Sequence, residues 1–161
     1  MLDIAGLKKI DALPPSYGIT PADVDRALKA QKVSLRPGDV VLFRTGTLRY
    51  WGDDGADLEK LPAHDSAGIT LETARYLVEE FGTMMIGSDT SGLEVSPAPE
   101  DAGTFIPVHN YLLVEQGVHI AEFHYLEDLA RDKVYEFCYV ATTNKIAGTT
   151  AGFTMRPLAI R

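Results

Sequence analysis

One histidine and one glutamate have the residue types and the spacing of a partial metal site. His109 follows Pro107-Val108 at the start of a predicted short helix, and Glu122 lies on a predicted strand, His119–Phe123. Side chains alternate along a strand, so Glu122 shares its face with Ile120. If that face is buried, the carboxylate needs a cation, a metal or hydrogen-bond donors beside it.

An imidazole and a carboxylate together are half of a ligand set for zinc or manganese. The helix-turn-strand connection between His109 and Glu122 is long enough to fold back and bring the two side chains together. The alternative stays open at this point. A histidine near a helix start often caps or packs, a strand glutamate often faces water, and catalytic zinc takes at least three protein ligands.

A second segment, Ile86–Glu94, follows a predicted buried strand, which is where α/β sheets place functional loops. Asp89 has the chemistry to orient a ligand or to accept hydrogen bonds from backbone amides of its own turn. Small polar residues at a strand end more often form turns. We assign Asp89 and Thr90 as candidate substrate-binding residues and no residue as catalytic.

The remaining reactive side chains give weaker signals. We expect His64, His119 and His124 to lie at the surface or to pack, and no catalytic-triad elbow or phosphate-binding glycine motif is present. Cys138 is the one cysteine, which excludes an intrachain disulfide. It lies in the apolar run Tyr135–Thr142, which predicts a small buried hydrophobic side chain.

Strands and helices alternate along the chain, which predicts an α/β fold in a single domain over residues 1–161. One helix start is especially clear, because Thr20 is an N-cap, Pro21 follows it and Asp23 completes a capping box. The predicted elements are the strands Met1–Ile4, Val40–Arg44, Met84–Gly87, His119–Phe123 and Tyr135–Thr142, an extended Gly152–Arg161, and helices Pro21–Gln31, Thr70–Phe81, His109–Glu115 and Tyr125–Ala130.

Composition excludes several classes of function. The formal net charge is −8 and no lysine or arginine cluster is present, so neither nucleic acid nor an anionic membrane is an expected partner. The first ten residues do not form a signal peptide, and no apolar run approaches the about 20 residues of a membrane span. We therefore expect a cytoplasmic protein.

Five motifs, in order along nearly the whole chain, resemble the cyclase family of metal-dependent hydrolases, which includes kynurenine formamidase and isatin hydrolase. The first is the strand motif PGDVVLFRTG, and the last is a terminal PLAIR. Between them lie a helix motif with alanine where proline is usual, a glycine-aspartate-threonine turn, and a segment with a histidine, two leucines, a glycine and a glutamate. Their positions are Pro37–Gly46, Ala67–Leu77, Ile86–Thr90, Val108–Glu122 and Pro157–Arg161.

The resemblance implies a swivelling β/β/α fold and hydrolysis of an amide or lactam bond, in aryl formamides or in cyclic ureides and imides. It implies one or two divalent ions, often zinc or manganese, and a homo-oligomer, usually a dimer or tetramer. His109 and Glu122 correspond to the family's downstream pair of metal ligands.

The chain departs from the family in one respect. The signature H-x-G-T-H-x-D-x-P-x-H, which supplies most ligands and a histidine acid/base, is missing from these 161 residues. We expect catalysis to require that segment, from a complementary N-terminal chain or from a longer form of this one. The alternative is a degenerate homologue that binds or has a structural role and keeps the fold and oligomer interface.

Overall fold

Four parallel strands form the sheet that positions the candidate site. The computed structural model describes residues 1–52, 56–61, 65–149 and 152–161. The sheet order is β1-β3-β5-β6, and all three pairings are parallel. Its strands are β1 (Leu2–Asp3), β3 (Val40–Arg44), β5 (Met85–Ser88) and β6 (His119–Ala121).

Two helices of 11 residues begin at the caps that the sequence encodes. Helix α2 (Pro21–Gln31) has Thr20 as N-cap in a complete capping box with Asp23. Helix α3 (Leu71–Phe81) follows Thr70, whose hydroxyl accepts from the backbone N–H of Thr73, and ends at Gly82. The shorter helices are α1 (Ile4–Lys8), α4 (Pro107–His109), which continues as a π-helix over Asn110–Gln116, and α5 (Glu127–Arg131). None of the helices in the described ranges has the length and apolar character needed to cross a bilayer.

Two further strand pairs lie outside the main sheet. The parallel pair β2 (Gly18–Ile19) and β4 (Gly68–Ile69) joins the segments that lead into α2 and α3. The last strand, β8 (Leu158–Ile160), pairs antiparallel with β7 (Cys138–Val140).

The alternation of side chains along β3 divides the core between the two faces of the sheet. Val41 and Phe43 belong to the larger cluster, which the helices α1 to α4 cover, while Leu42 belongs to a smaller cluster with Met1 and Leu126. A central strand apolar on both faces is typical of a parallel sheet between two layers. The α/β class predicted from the sequence is confirmed.

Several boundaries differ from the sequence-based expectation. The strand at the start ends at Asp3, because Asp3 caps helix α1 by accepting from the Gly6 N–H. Strand β6 ends at Ala121, so Glu122 lies just beyond it. The prediction of a buried Cys138 is wrong. Cys138 lies on the exposed face of the three-residue strand β7, which pairs with the exposed strand β8.

Candidate functional site

The backbone around His109 is held by a buried carboxylate. Pro107 is the first residue of α4, so the next N–H groups of this helix start, those of Val108 and His109, need acceptors outside the helix. Glu94 supplies both, because its Oε2 accepts from the Val108 N–H and its Oε1 from the His109 N–H, each at 3.1 Å. Charge-assisted bonds of this kind fix both the helix start and the direction of the His109 side chain.

The imidazole of His109 lies between two carboxylates. Its Nδ1 makes a short contact with Glu94 Oε1, and its Nε2 lies 3.4 Å from Glu122 Oε1. The side chain of Glu94 is 6% exposed, that of His109 22% and that of Glu122 33%. The site therefore has a buried end at Glu94 and a solvent-facing end at Glu122. We call these three residues the His109 cluster.

The two carboxylates control the protonation of His109. They raise its pKa to about 9, with Glu122 the larger cause and Glu94 the second, against the opposite effect of burial. Without another cation at the site, His109 is therefore an imidazolium at neutral pH, which balances part of the negative charge of the cluster.

The geometry of the pair fits a shared metal ion. If Glu94 accepts the proton on Nδ1, the Nε2 lone pair of a neutral His109 points toward Glu122. Two donors that each lie about 2.1 Å from one tetrahedral ion are about 3.4 Å apart, and the observed separation between Nε2 and Oε1 is 3.4 Å.

The cluster is nevertheless only part of a site. Within the described ranges, no group of three or more His, Cys, Asp or Glu side chains has an arrangement that could hold a metal. Glu94 does not complete the set, because it lies on the Nδ1 side of the ring and an ion at Nε2 lies on the other side. A carboxylate in that position orients the imidazole and raises its basicity.

Asp89 and Thr90 lie at the carboxyl edge of the sheet, with their side chains turned inward. Asp89 is fully buried and accepts from Thr45 N, Thr45 Oγ1 and Gly46 N at 2.7–2.8 Å. Burial raises the pKa of Asp89 to about 6, although these hydrogen bonds oppose the shift. Thr90 shares a hydrogen bond of 2.7 Å with the Ser88 hydroxyl. The assignment of Asp89 and Thr90 to substrate binding stays a prediction. With these contacts the two side chains would contribute to a binding site by holding the backbone of the neighbouring loops in place.

Neither of the other two histidines in the described ranges, His119 and His124, has its ring beside that of His109 between Glu94 and Glu122. His119 is exposed on β6, and His64 lies outside the described residues. His124 is buried at 6% exposure; its Nε2 lies 2.8 Å from the Tyr139 hydroxyl, and burial lowers its pKa.

Glu94 is the residue that sequence reasoning missed. It stands between Leu93 and Val95 at the end of the 86–94 segment, and the available signal was an acidic residue between apolar neighbours. Such a carboxylate is buried with them and therefore needs donors nearby.

Comparison with protein families gives a match over residues 1–95, more than half of the chain, to the cyclase family, described as "Putative cyclase". The chain belongs to the cyclase family. His109 and Glu122 lie beyond the matched residues, but structural similarity extends over both. A crystal structure described as a novel cyclase is 33% identical, has a TM-score of 0.80, and covers 99% of this chain and 52% of its own.

Two further solved structures have the same fold. A potential metal-dependent hydrolase with cyclase activity is 26% identical, with a TM-score of 0.53, 81% of this chain covered and 52% of its own. Isatin hydrolase A from Ralstonia solanacearum is 21% identical, with a TM-score of 0.56, 78% of this chain covered and 46% of its own. The chain thus spans about half the length of the cyclase-family structures that it matches. Comparison with curated proteins gives no match.

Proposed function

We propose that this chain forms one half of a metal-dependent hydrolase that cleaves an amide or lactam C–N bond, in which His109 and Glu122 hold a divalent ion. The observation that carries the proposal is the 3.4 Å separation between His109 Nε2 and Glu122 Oε1, with Nδ1 already engaged by Glu94. Nitrogen and oxygen donors in this arrangement suit zinc or manganese.

Each residue of the cluster has a distinct part in this proposal. Glu94 fixes the ring of His109 and keeps the proton on Nδ1, which leaves Nε2 as the ligand atom. Glu122 presents its carboxylate to the same point from the solvent side, where a substrate has access. When bound, the divalent ion supplies a Lewis acid that polarises the carbonyl of the scissile bond.

The remaining ligands and the general acid come from outside the described residues. Two ligands are fewer than the three that a catalytic zinc site uses. The alignment covers only 52% of each of two matched structures, so the family contains a further polypeptide segment that could complete the site. We propose that a complementary chain or an extended form of this chain supplies it, and that the protein forms a homo-oligomer.

The names of the matched structures support a proposal for the substrate class. Two matched structures are isatin hydrolases, and a third is described as a metal-dependent hydrolase with cyclase activity. We propose a small amide, lactam or aryl formamide, bound beside Glu122 and within reach of the loops that Asp89 and Thr90 hold.

Metal content and hydrolysis test the proposal together. Purified protein is analysed for zinc and manganese, and is assayed with N-formylkynurenine and isatin with and without added Mn²⁺. His109→Ala and Glu122→Ala are expected to lose the metal, whereas the matched changes at exposed positions, His119→Ala and Glu115→Ala, are expected to retain it. A folded wild type with neither stoichiometric metal nor turnover contradicts catalysis by this chain.

A second function, that of a non-catalytic binding or structural homologue, is favoured by the lack of a third ligand in the described part of the chain. In that case the His109 cluster is an ion triad, with an imidazolium between two carboxylates. Metal that stays bound in both alanine variants, or that is never bound, supports this alternative.

A further inference from the structure

The two peptide N–H groups that flank the α-carbon of Phe123, directly after Glu122, are hydrogen-bonded to the end of strand β5 and to Thr90. Phe123 has a φ of +54°, a conformation that is uncommon for a residue with a bulky side chain. Its N–H donates to the carbonyl oxygen of Thr90 at 3.1 Å, and the N–H of His124 donates to that of Ser88 at 3.0 Å. These bonds compensate for the strain and fix the backbone at the point where Glu122 leaves the sheet.

The buried imidazole of His124 makes a third connection at this turn. Its Nδ1 lies 3.2 Å from the carbonyl oxygen of Glu122, and its Nε2 lies 2.8 Å from the hydroxyl of Tyr139. A carbonyl oxygen only accepts hydrogen bonds, so Nδ1 carries the proton and donates. In the neutral ring Nε2 then accepts, and the Tyr139 hydroxyl is its donor.

We propose that His124 is a positioning residue for Glu122, and that the Tyr139 hydroxyl holds its imidazole in the required tautomer. The hydrogen bond from Nδ1 restrains the Glu122 peptide group, whose side chain must stay 3.4 Å from His109 Nε2. This inference deepens the proposed function and rests on it, since it concerns the same pair of ligands.

The same contact links strand β7 to the cluster. Tyr139 is the central residue of β7 (Cys138–Val140), and its ring lies 5.9 Å from that of His124, centroid to centroid. Its neighbours Cys138 and Val140 point to the opposite, exposed face of the strand. Loss of the order of β7 is therefore expected to loosen Glu122, although this strand contributes no ligand.

Binding of Mn²⁺ to the purified chain, followed by calorimetry, tests the inference with four variants. His124→Ala removes both hydrogen bonds and is expected to weaken binding about tenfold, the lower end of the range for outer-shell partners of metal ligands. His124→Asn places an amide N–H near the position of Nδ1 and is expected to restore most of the affinity. Tyr139→Phe is expected to weaken binding about threefold, a smaller loss because the Nδ1 bond remains. Tyr76→Phe is the matched control, because it removes a hydroxyl bonded to Asp25 away from the site.

Two further readouts separate positioning from a structural role. Long-range ¹⁵N–¹H spectra of the wild type are expected to show His124 protonated on Nδ1; protonation on Nε2 alone overturns the inference. Melting temperatures report any general loss of stability. Such a loss by itself leaves the affinity of the folded protein for Mn²⁺ unchanged, and it does not explain why His124→Asn would restore that affinity.

The outcomes distinguish the inference from the function on which it rests. If His109→Ala and Glu122→Ala abolish binding of Mn²⁺ while His124→Ala and Tyr139→Phe bind as the wild type does, the inference fails and the proposed function stands. If the wild type binds no Mn²⁺, or if the His109 and Glu122 variants bind it unchanged, the proposed function fails and the inference fails with it.

Discussion

Replacement of Glu94 by glutamine tests whether this buried carboxylate organises the cluster. The side chain keeps its shape, and its carbonyl oxygen can still accept from the N–H and Nδ1 of His109. In the wild type, Oε2 of Glu94 accepts from the Val108 N–H at 3.1 Å. In the glutamine variant an NH2 group takes the place of Oε2, so two hydrogen-bond donors face each other. A buried N–H left without an acceptor costs about 1–3 kcal/mol, and loss of the charge weakens the other two bonds. We expect Glu94→Gln to lower the free energy of unfolding by about 3 kcal/mol.

The same variant changes the electrostatics of His109. Glu94 is the second of the two carboxylates that raise the pKa of His109 to about 9. In Glu94→Gln that pKa is expected to fall, but to stay above the ordinary histidine value because Glu122 remains. Urea denaturation measures the stability, and an NMR pH titration of the His109 Cε1–H measures the pKa in metal-free protein.

Glu79→Gln is the matched control. It makes the same chemical change at an exposed glutamate that accepts one hydrogen bond, from the Tyr111 hydroxyl at 3.0 Å. We expect its effect on stability to stay below about 1 kcal/mol. If Glu94→Gln is as stable as this control and the pKa of His109 does not change, the role assigned to Glu94 is refuted.

Three further predictions concern the scaffold. Gly46→Ala is expected to lower the free energy of unfolding, measured by urea denaturation, by about 3 kcal/mol or more, because the added methyl group would lie 2.2 Å from a backbone carbonyl oxygen. Gly38 has the same φ of +88° but open space around it, so Gly38→Ala should lower the free energy of unfolding by only about 1–2 kcal/mol. Burial alone would raise the pKa of Asp23, but the hydrogen bonds it accepts lower it to about 2, so its contribution of about 2 kcal/mol is present above pH 4 and lost as the pH falls toward 2. Asp23→Asn should remove that acid-dependent part of the stability, and an unchanged pH profile would contradict the assignment. Arg44→Met leaves the carboxylate of Asp3 buried without its partner at 2.8 Å and should cost about 3–5 kcal/mol; a loss below 1 kcal/mol would show that the ion pair is dispensable.

Sequence analysis predicted the bounds of those elements that are determined by residues close together in the chain. Helix α2 begins after Thr20 and ends at Gln31 as its capping box and periodicity indicate, and β3 spans Val40–Arg44 as its apolar run indicates. These features depend on residues that are neighbours in the chain, so their physics is visible in one segment.

The features that sequence missed depend on distant contacts. Strands β2 and β4 have two residues each, and only their pairing across about 50 residues makes them strands. The burial of Cys138 was mispredicted for the same reason, because exposure depends on what packs against β7 and not on its composition.

The candidate site shows the same division. His109 and Glu122 were chosen from residue type and from resemblance to the family, and the structure brings them to 3.4 Å. The role of Glu94 was not predictable from spacing, because Glu94 lies 15 positions before His109 in the chain, and only the fold places its carboxylate against the start of α4.

Anomalous diffraction at the zinc edge, from crystals grown with Zn²⁺, tests the metal assignment most directly. A peak about 2.0–2.1 Å from both His109 Nε2 and a Glu122 carboxylate oxygen is the predicted result. A well-ordered cluster without a peak between these atoms, or with zinc bound only elsewhere, would contradict the account.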